Sequence, residues 1–369
     1  MEFLGQLFSG SLRFVINLAI FVLAIGLLAF VHELGHFLFS RLFNIEVEEF
    51  GFGLPPRWKK LFTWKGTEFT LNKIPFGAFV RPKGENDPAV PGGLAAAKPG
   101  VRFLVFIGGP LMNLIAAGLI FTLVTAVDGV VRTTIGEVTP DTPAAQAGFQ
   151  KNDVFLQIDN HKISPHTDVS SLVYSKAGQQ TTFIMERNGQ PVTLIATPRT
   201  NPPEGQGPLG IMLRTKYEKI PLSFPQEISY GFGEVWYQSH EVILLPVRLI
   251  SGQFQLSQAR PISVVGAFQV FVQVQDIQQE NINANPQSAS RMLVVWLFGT
   301  ISVALGIFNL LPLPALDGGH ILFLIPELIL RRRVPHEFEN AVHAAGLLLL
   351  LAFMVVLVVN DIVNPLKLP

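Results

Sequence analysis

Four long apolar runs constrain this chain more than anything else in it. They cover residues 12–39, 101–127, 292–313 and 342–359, and a bilayer core needs only about 20 helical residues at roughly 1.5 Å each. Inside hydrocarbon the backbone must pair with itself, so each run is expected as a transmembrane helix. Composition agrees, since 49% of residues are hydrophobic and 15% charged, against about 25% charged in a soluble protein. The first run has no basic segment before it and no small-residue cleavage site after it, so it is read as a retained span and not a secretory leader. Formal charge is zero and cysteine is absent. Nothing in that balance attracts nucleic acid, and any strong zinc site is restricted to His, Asp and Glu.

Charge sets an expected orientation. Lys and Arg crowd residues 41–98, including Arg57, Lys59, Lys60 and Arg81, and recur as Arg331, Arg332 and Arg333. Positive loops favour the cytoplasmic side, which puts both termini and residues 128–291 outside. The expected organisation is then two spans with a cytoplasmic β-ribbon loop over 1–127, a small mixed domain over 128–214, an extracytoplasmic membrane-associated linker over 215–291, and two spans over 292–369. The ribbon is drawn from the β-rich, glycine-punctuated segments 46–52 and 68–80. In the small domain, strands are expected over 135–138, 153–158, 183–187, 191–196 and 209–213. The third and fourth flank Asn188-Gly189, a dipeptide suited to a type I′ turn. The linker holds an amphipathic stretch over 242–250 and a Gln/Asn-rich piece over 273–287.

The chemistry centres on His32-Glu33-Leu34-Gly35-His36. On a helix, residues four apart lie about 6 Å along the axis and about 40° around it, so the two imidazoles can converge on one ion. Glu33 lies in the same arc and can take a proton from a water in an open coordination position. Three ionisable groups inside an apolar run cost roughly 2.5 kcal/mol or more each unless they are compensated, which argues against a merely interfacial role. A catalytic metal site wants a third protein ligand, and the same helix offers none. Asp317 is the candidate, in Asn309-Leu310-Leu311-Pro312-Leu313-Pro314-Ala315-Leu316-Asp317-Gly318-Gly319. There, two prolines stop the third span and two glycines relax the chain behind the acid, although Asp317 could also cap the next helix. Both groups fall near the cytoplasmic face. His320 is an alternative ligand or an outer partner, Asn113 and Asn309 could each satisfy a polar need between helices, and Gly108-Gly109-Pro110 suits close helix approach. His161, His166, His240, His336 and His343 receive no role. An ion path through the membrane is the rival reading of the same residues, but no inverted repeat is visible.

In this order, the His-Glu-Leu-Gly-His helix, Ile74 to Val80, Gly108-Gly109-Pro110-Leu111-Met112-Asn113, Pro140 to Gly148, Arg260 to Gly266 and the Asn309 to Gly319 block resemble the site-2 protease family. These are the M50-type intramembrane zinc metalloproteases, and the likeness is greatest to bacterial regulators of envelope stress. The resemblance implies a polytopic α-helical membrane protein with four transmembrane helices, a small membrane-associated β-ribbon and an inserted extracytoplasmic PDZ-like α+β domain. It implies Zn2+ held by His32, His36 and Asp317, with Glu33 as general base and acid and Asn309 holding the substrate backbone. The expected partners are the lipid bilayer and a single-pass membrane-protein substrate, such as an anti-sigma factor already trimmed by another protease. The expected place is the bacterial inner membrane. One departure is a single PDZ-like unit where some relatives carry two.

Overall fold

The computed structural model describes residues 2–85, 87–203, 205–220, 222–251, 260–284, 289–366 and 368, with side chains from residue 12 onward except 75, 76, 216 and 217. A proline-free apolar sequence forms α1 (Glu2–Leu42), which ends on Arg41 and a left-handed Asn44 with φ 58°. Next come β1 (Val47–Trp64) and β2 (Thr67–Pro82), then α2 (Pro99–Asp128). The inserted segment is β3 (Val130–Val138), α3 (Pro143–Ala147), β4 (Val154–Ile158), β5 (His161–Lys162), α4 (Val169–Ser175), β6 (Thr181–Arg187), β7 (Gln190–Ala196) and β8 (Ile211–Glu218). Among the described residues, five helices follow: α5 (Phe224–Ile250), α6 (Val264–Ala284), α7 (Leu293–Asn309), α8 (Asp317–Leu330) and α9 (His336–Val363).

Among the described residues, three helical segments suit a membrane crossing by length and composition: Leu12–Leu42, Pro99–Asp128 and His336–Val363. The third apolar run gives a shorter helix than its sequence suggests. α7 ends at Asn309 and not at residue 313, because Pro312 and Pro314 lack the N–H a helix needs and force their predecessors out of helical backbone. The Gln/Asn-rich piece is a further departure: as far as residue 284 it belongs to α6, and residues 285–287 lie outside the described residues. Ser263 starts that helix, its Oγ accepting from Val265 N–H (3.1 Å) and Gly266 N–H (3.3 Å). Asp361 on α9 in turn accepts from Ser263 N–H (2.6 Å) and from Arg260 (2.7 Å), which gives the Arg260 to Gly266 motif a structural use. The amphipathic stretch 242–250 is the end of α5.

The chain divides into two units, one of residues 1–123, 225–277 and 293–369, the other of residues 124–224 and 278–292. In the first, the ribbon is more folded than two facing strands. Phe50 pairs with both Val80 and Phe69, and Phe52 with both Ala78 and Leu71, while Lys60 pairs with Thr70. The first part of β1 therefore sits between the two halves of a bent β2. Phe50 is buried, Phe37 of α1 meets it edge-on at 5.5 Å, Phe69 stacks on it at 5.5 Å, and Phe37 and Phe69 also meet at 5.8 Å, so the three rings form one cluster. These rings fix the ribbon against α1.

In the second unit the sheet order is β7-β6-β4-β3-β8, with β5 on β4 and every pairing antiparallel. Asn188 (φ 53°) and Gly189 (φ 77°) make the β6–β7 turn with both residues left-handed, as type I′ requires. Thr142 caps α3, Pro143 opens it and Gly148 (φ 83°) ends it. Ile135, Phe155, Ile158, Phe183 and Met185 form the core. Arg187 clamps the buried Asp153 through two bonds of 2.8 and 2.7 Å. The last strand runs over Ile211–Glu218 instead of 209–213, since its pairing with β3 extends from Val130↔Glu218 to Val138↔Ile211. Asp128 accepts from Ser290 Oγ (2.5 Å), Arg291 N–H (3.0 Å) and Met292 N–H (3.0 Å), tying the segment before α7 to the end of α2.

Candidate metal centre

α1 and α2 touch through glycine. A Cβ on Gly35 would overlap Gly108 O and one on Gly108 would lie 3.0 Å from Gly35 O, so the two backbones meet at the level of the His-Glu-Leu-Gly-His motif. Gly109 goes beyond the packing role its sequence suggests. A Cβ there would overlap His36 Nε2 and lie 2.8 Å from His32 Nε2, so the missing side chain leaves the space the two imidazoles use.

The proton positions on those rings follow from their partners. His36 Nδ1 lies 2.9 Å from Val105 O. A carbonyl only accepts, so Nδ1 carries the proton and Nε2 keeps a lone pair. His32 Nδ1 lies 3.3 Å from the Asn113 amide, whose Oδ1 is buried without a donor. With that amide turned about so that Oδ1 meets the ring, His32 Nδ1–H satisfies it and Nε2 is freed in the same way. Ser302 Oγ donates to Asn113 O at 2.8 Å and holds that residue in place.

Asp317 is the first residue of α8, with Leu316 in the cap position, so the aspartate side chain is not spent on capping. Its Oδ2 is 3.1 Å from His32 Nε2 and its Oδ1 3.4 Å from His36 Nε2, and the two ring nitrogens are 3.1 Å apart. Lone pairs and a carboxylate at such separations repel one another unless a cation lies between them. The spacing fits one. Zinc binds nitrogen and oxygen at about 2.0–2.1 Å, and a tetrahedron of that size has edges of about 3.3 Å. Asp317 Oδ2 is itself buried without a hydrogen-bond donor, which leaves a lone pair for a metal.

Glu33 is no ligand in this arrangement. Its Oε2 accepts Val80 N–H at 2.9 Å, so the carboxylate faces the ribbon edge. It lines a cavity of about 290 Å³ together with His32, His36, Asp317 and Asn309. Asn309 is the last residue of α7 and donates from Nδ2 to Leu305 O at 2.9 Å. That uses one amide hydrogen and leaves the other, with Oδ1, to the cavity. Two further lining residues carry no signal in the linear sequence: Glu85, in the loop after the ribbon, and Phe106, four residues before Pro110. Although the residue is exposed overall, desolvation of its carboxyl pushes Glu85 up from its ordinary value. His320 lines the same cavity. His343, to which the sequence assigns nothing, shares a second cluster with His320 and Glu339.

The family model described as peptidase family M50 matches residues 20–353. The chain belongs to this family. Among curated relatives it is 31% identical to Metalloprotease MmpA of Caulobacter vibrioides, over 95% of this chain and 96% of that protein. It is 26% identical to Zinc metalloprotease RasP of Geobacillus kaustophilus, over 93% of this chain and 96% of the relative. The RasP of Oceanobacillus iheyensis is also 26% identical, over 93% and 97%. An M50 chain with three helices of this length and hydropathy is a membrane protein.

Proposed function

We propose that this M50 chain is a zinc-dependent endopeptidase that cuts transmembrane segments of single-pass membrane proteins. The observation that carries the reading is the convergence of His32 Nε2, His36 Nε2 and the Asp317 carboxylate within 3.1–3.4 Å of one another. His32, His36 and Asp317 hold the metal, and Glu33 and Asn309 work beside it.

Zinc, when bound, polarises the scissile carbonyl and makes a nearby water more acidic. Glu33 takes the proton of that water as it attacks the carbonyl carbon, and delivers it to the amide nitrogen as the C–N bond breaks. Asn309 holds the substrate backbone through the amide groups that Leu305 does not use. The substrate enters extended, along the outer edge of β2. What supports this is that Val80 directs its N–H away from β1 and into the site, and that a backbone unwound at membrane depth needs such partners.

In the full reading the shorter helix α7 is the remaining span of a four-span protein in a bacterial inner membrane. The ribbon and the metal lie toward the cytoplasm, and the termini and the β3–β8 domain lie outside. That domain acts as a single PDZ-like filter for the outer part of the substrate. An apolar groove between α4 and the edge strand β8, lined by Val173, Leu209, Ile211 and Leu213, supports a peptide-binding use. An anti-sigma factor trimmed by another protease is the substrate class that the family likeness favours. The test is cleavage of a transmembrane substrate by the protein in nanodiscs, with zinc measured on the same samples. The reading requires about one zinc per chain and loss of both zinc and cleavage in the His32→Ala, His36→Ala double variant. Zinc undiminished in that variant would sink it.

A further inference from the structure

The loop that delivers Asp317 is only partly held by its own turns, with Leu313 N–H on Leu311 O (2.7 Å) and Leu316 N–H on Leu313 O (3.3 Å). Ala315 lies between them in left-handed backbone, φ 70°. A residue with a Cβ keeps that conformation only where its surroundings impose it. The support comes from the last helix. Ala315 N–H donates to His343 Nδ1 at 2.9 Å. One turn further along α9, a Cβ on Gly346 would overlap Pro314 Cβ, so Gly346 lets that helix close on the same loop. The His343 ring cannot turn freely. It stacks on His320 at 3.9 Å and 14°, and His320 stacks on Phe106 at 4.8 Å and 11°.

His320, Glu339 and His343 each bring a possible ligand atom within 4.8 Å of the others, which invites a second metal. The Ala315 bond argues against one. With Nδ1 accepting an N–H, the neutral His343 ring carries its proton on Nε2 and has no lone pair to offer. The cluster is better explained as a brace for the Asp317 loop.

We propose that His343 is a positioning residue for Asp317: by accepting Ala315 N–H it fixes the left-handed turn that brings the carboxylate to His32 and His36. This rests on the reading of Asp317 as a metal ligand. It gives α9 a part in the site that its apolar sequence does not suggest.

The test uses the full chain in nanodiscs, with zinc affinity measured by competition against a chromophoric chelator and kcat and KM measured on a transmembrane substrate. His343→Leu removes the acceptor and is expected to weaken zinc binding about three- to tenfold, the scale of one hydrogen bond, with kcat lowered and KM little changed. His343→Asn places Oδ1 where Nδ1 stood and is expected to recover most of the loss. Gly346→Val, which pushes on Pro314, should repeat the His343→Leu pattern, while Leu349→Ala on the exposed face of α9 should change neither quantity. Wild-type zinc affinity and kcat in folded His343→Leu would overturn the proposal, as would a His343→Asn variant no better than His343→Leu. If His343→Leu does not fold, His343→Ala against His343→Asn makes the same comparison. Asp317→Asn, run alongside, separates the two levels. Unchanged zinc affinity there defeats the ligand reading itself, whereas lost affinity there with an unaffected His343→Leu defeats only the positioning role.

Discussion

Glu33 Oε2 accepts the backbone N–H of Val80 at 2.9 Å, which joins the acid of the His-Glu-Leu-Gly-His helix to the outer edge of the ribbon. The residue that would move protons is thereby oriented by the element that would present substrate. Glu33→Gln keeps a carbonyl oxygen able to accept from Val80, so ribbon and zinc site should stay intact. An amide cannot take a proton from water as a carboxylate does, and cleavage should fall on the order of 10²–10⁴-fold. Zinc content and turnover are to be measured on one preparation. Wild-type turnover in Glu33→Gln would remove Glu33 from the mechanism and return attention to an ion path.

Asn113 bears on zinc through His32. If its Oδ1 fixes the Nδ1–H tautomer, Asn113→Asp keeps an acceptor there and should hold zinc well, while Asn113→Leu removes it. Losing such an outer partner weakens metal binding roughly 10–100-fold. The ranking wild type and Asn113→Asp above Asn113→Leu in chelator competition is the expected result. Equal affinities for the acceptor and the apolar variant would show that the amide only fills space.

The parts of this site that a reader of the sequence can find are those written within one element. His32 and His36 are four apart on one helix, and Asp317 stands behind two prolines that announce a broken span. The Asn188-Gly189 hairpin is legible for the same reason, because both strands adjoin their turn. What escapes is what folding assembles from distant segments. His343 follows Glu339 by four residues on one helix, a spacing that says nothing of the Asp317 loop, and its use appears only when Ala315 arrives beside it. Glu85 and Phe106 become cavity residues because a loop and a helix happen to close over the motif. The ribbon reads as two strands, yet β2 bends so that Phe50 has partners on both sides, a tertiary choice that local alternation does not encode.

Acid should loosen the ribbon. Burial of Glu49 would raise its carboxyl, but the hydrogen bonds from Thr70 and Arg57 and the charge of Arg81 prevail and hold it below its ordinary value of 4.5. A carboxyl depressed in the folded state adds stability that is present above its unfolded pKa and lost as pH falls through the folded one. Ribbon amides should therefore lose hydrogen-exchange protection on acidification below about pH 4. Glu46 and Glu68 are depressed too, so Glu49→Gln isolates the contribution: it should lower protection at neutral pH and flatten the pH response. A pH response in Glu49→Gln as steep as the wild type would assign the effect to the exposed pairs.

The sharpest steric prediction concerns Gly109. In a helix interior, glycine to alanine is favourable by about 1 kcal/mol on propensity alone, so Gly109→Ala should not unfold α2 for any local reason. Its Cβ, however, would overlap His36 Nε2 and approach His32 Nε2 to 2.8 Å. The neighbours cannot yield easily. His36 is tied to Val105 O at 2.9 Å on its other edge, and α1 is pressed to α2 where Gly35 meets Gly108. The rings must therefore leave the geometry in which both lone pairs face Asp317. Gly100→Ala, in the first turn of α2 with nothing within 4 Å of the added atom, is the matched control. Zinc content, cleavage and thermal stability measured on both should separate cleanly, with Gly100→Ala like the wild type in all three and Gly109→Ala folded but without zinc or activity. A Gly109→Ala protein that holds about one zinc and cleaves normally would mean that the imidazoles do not converge where these distances put them.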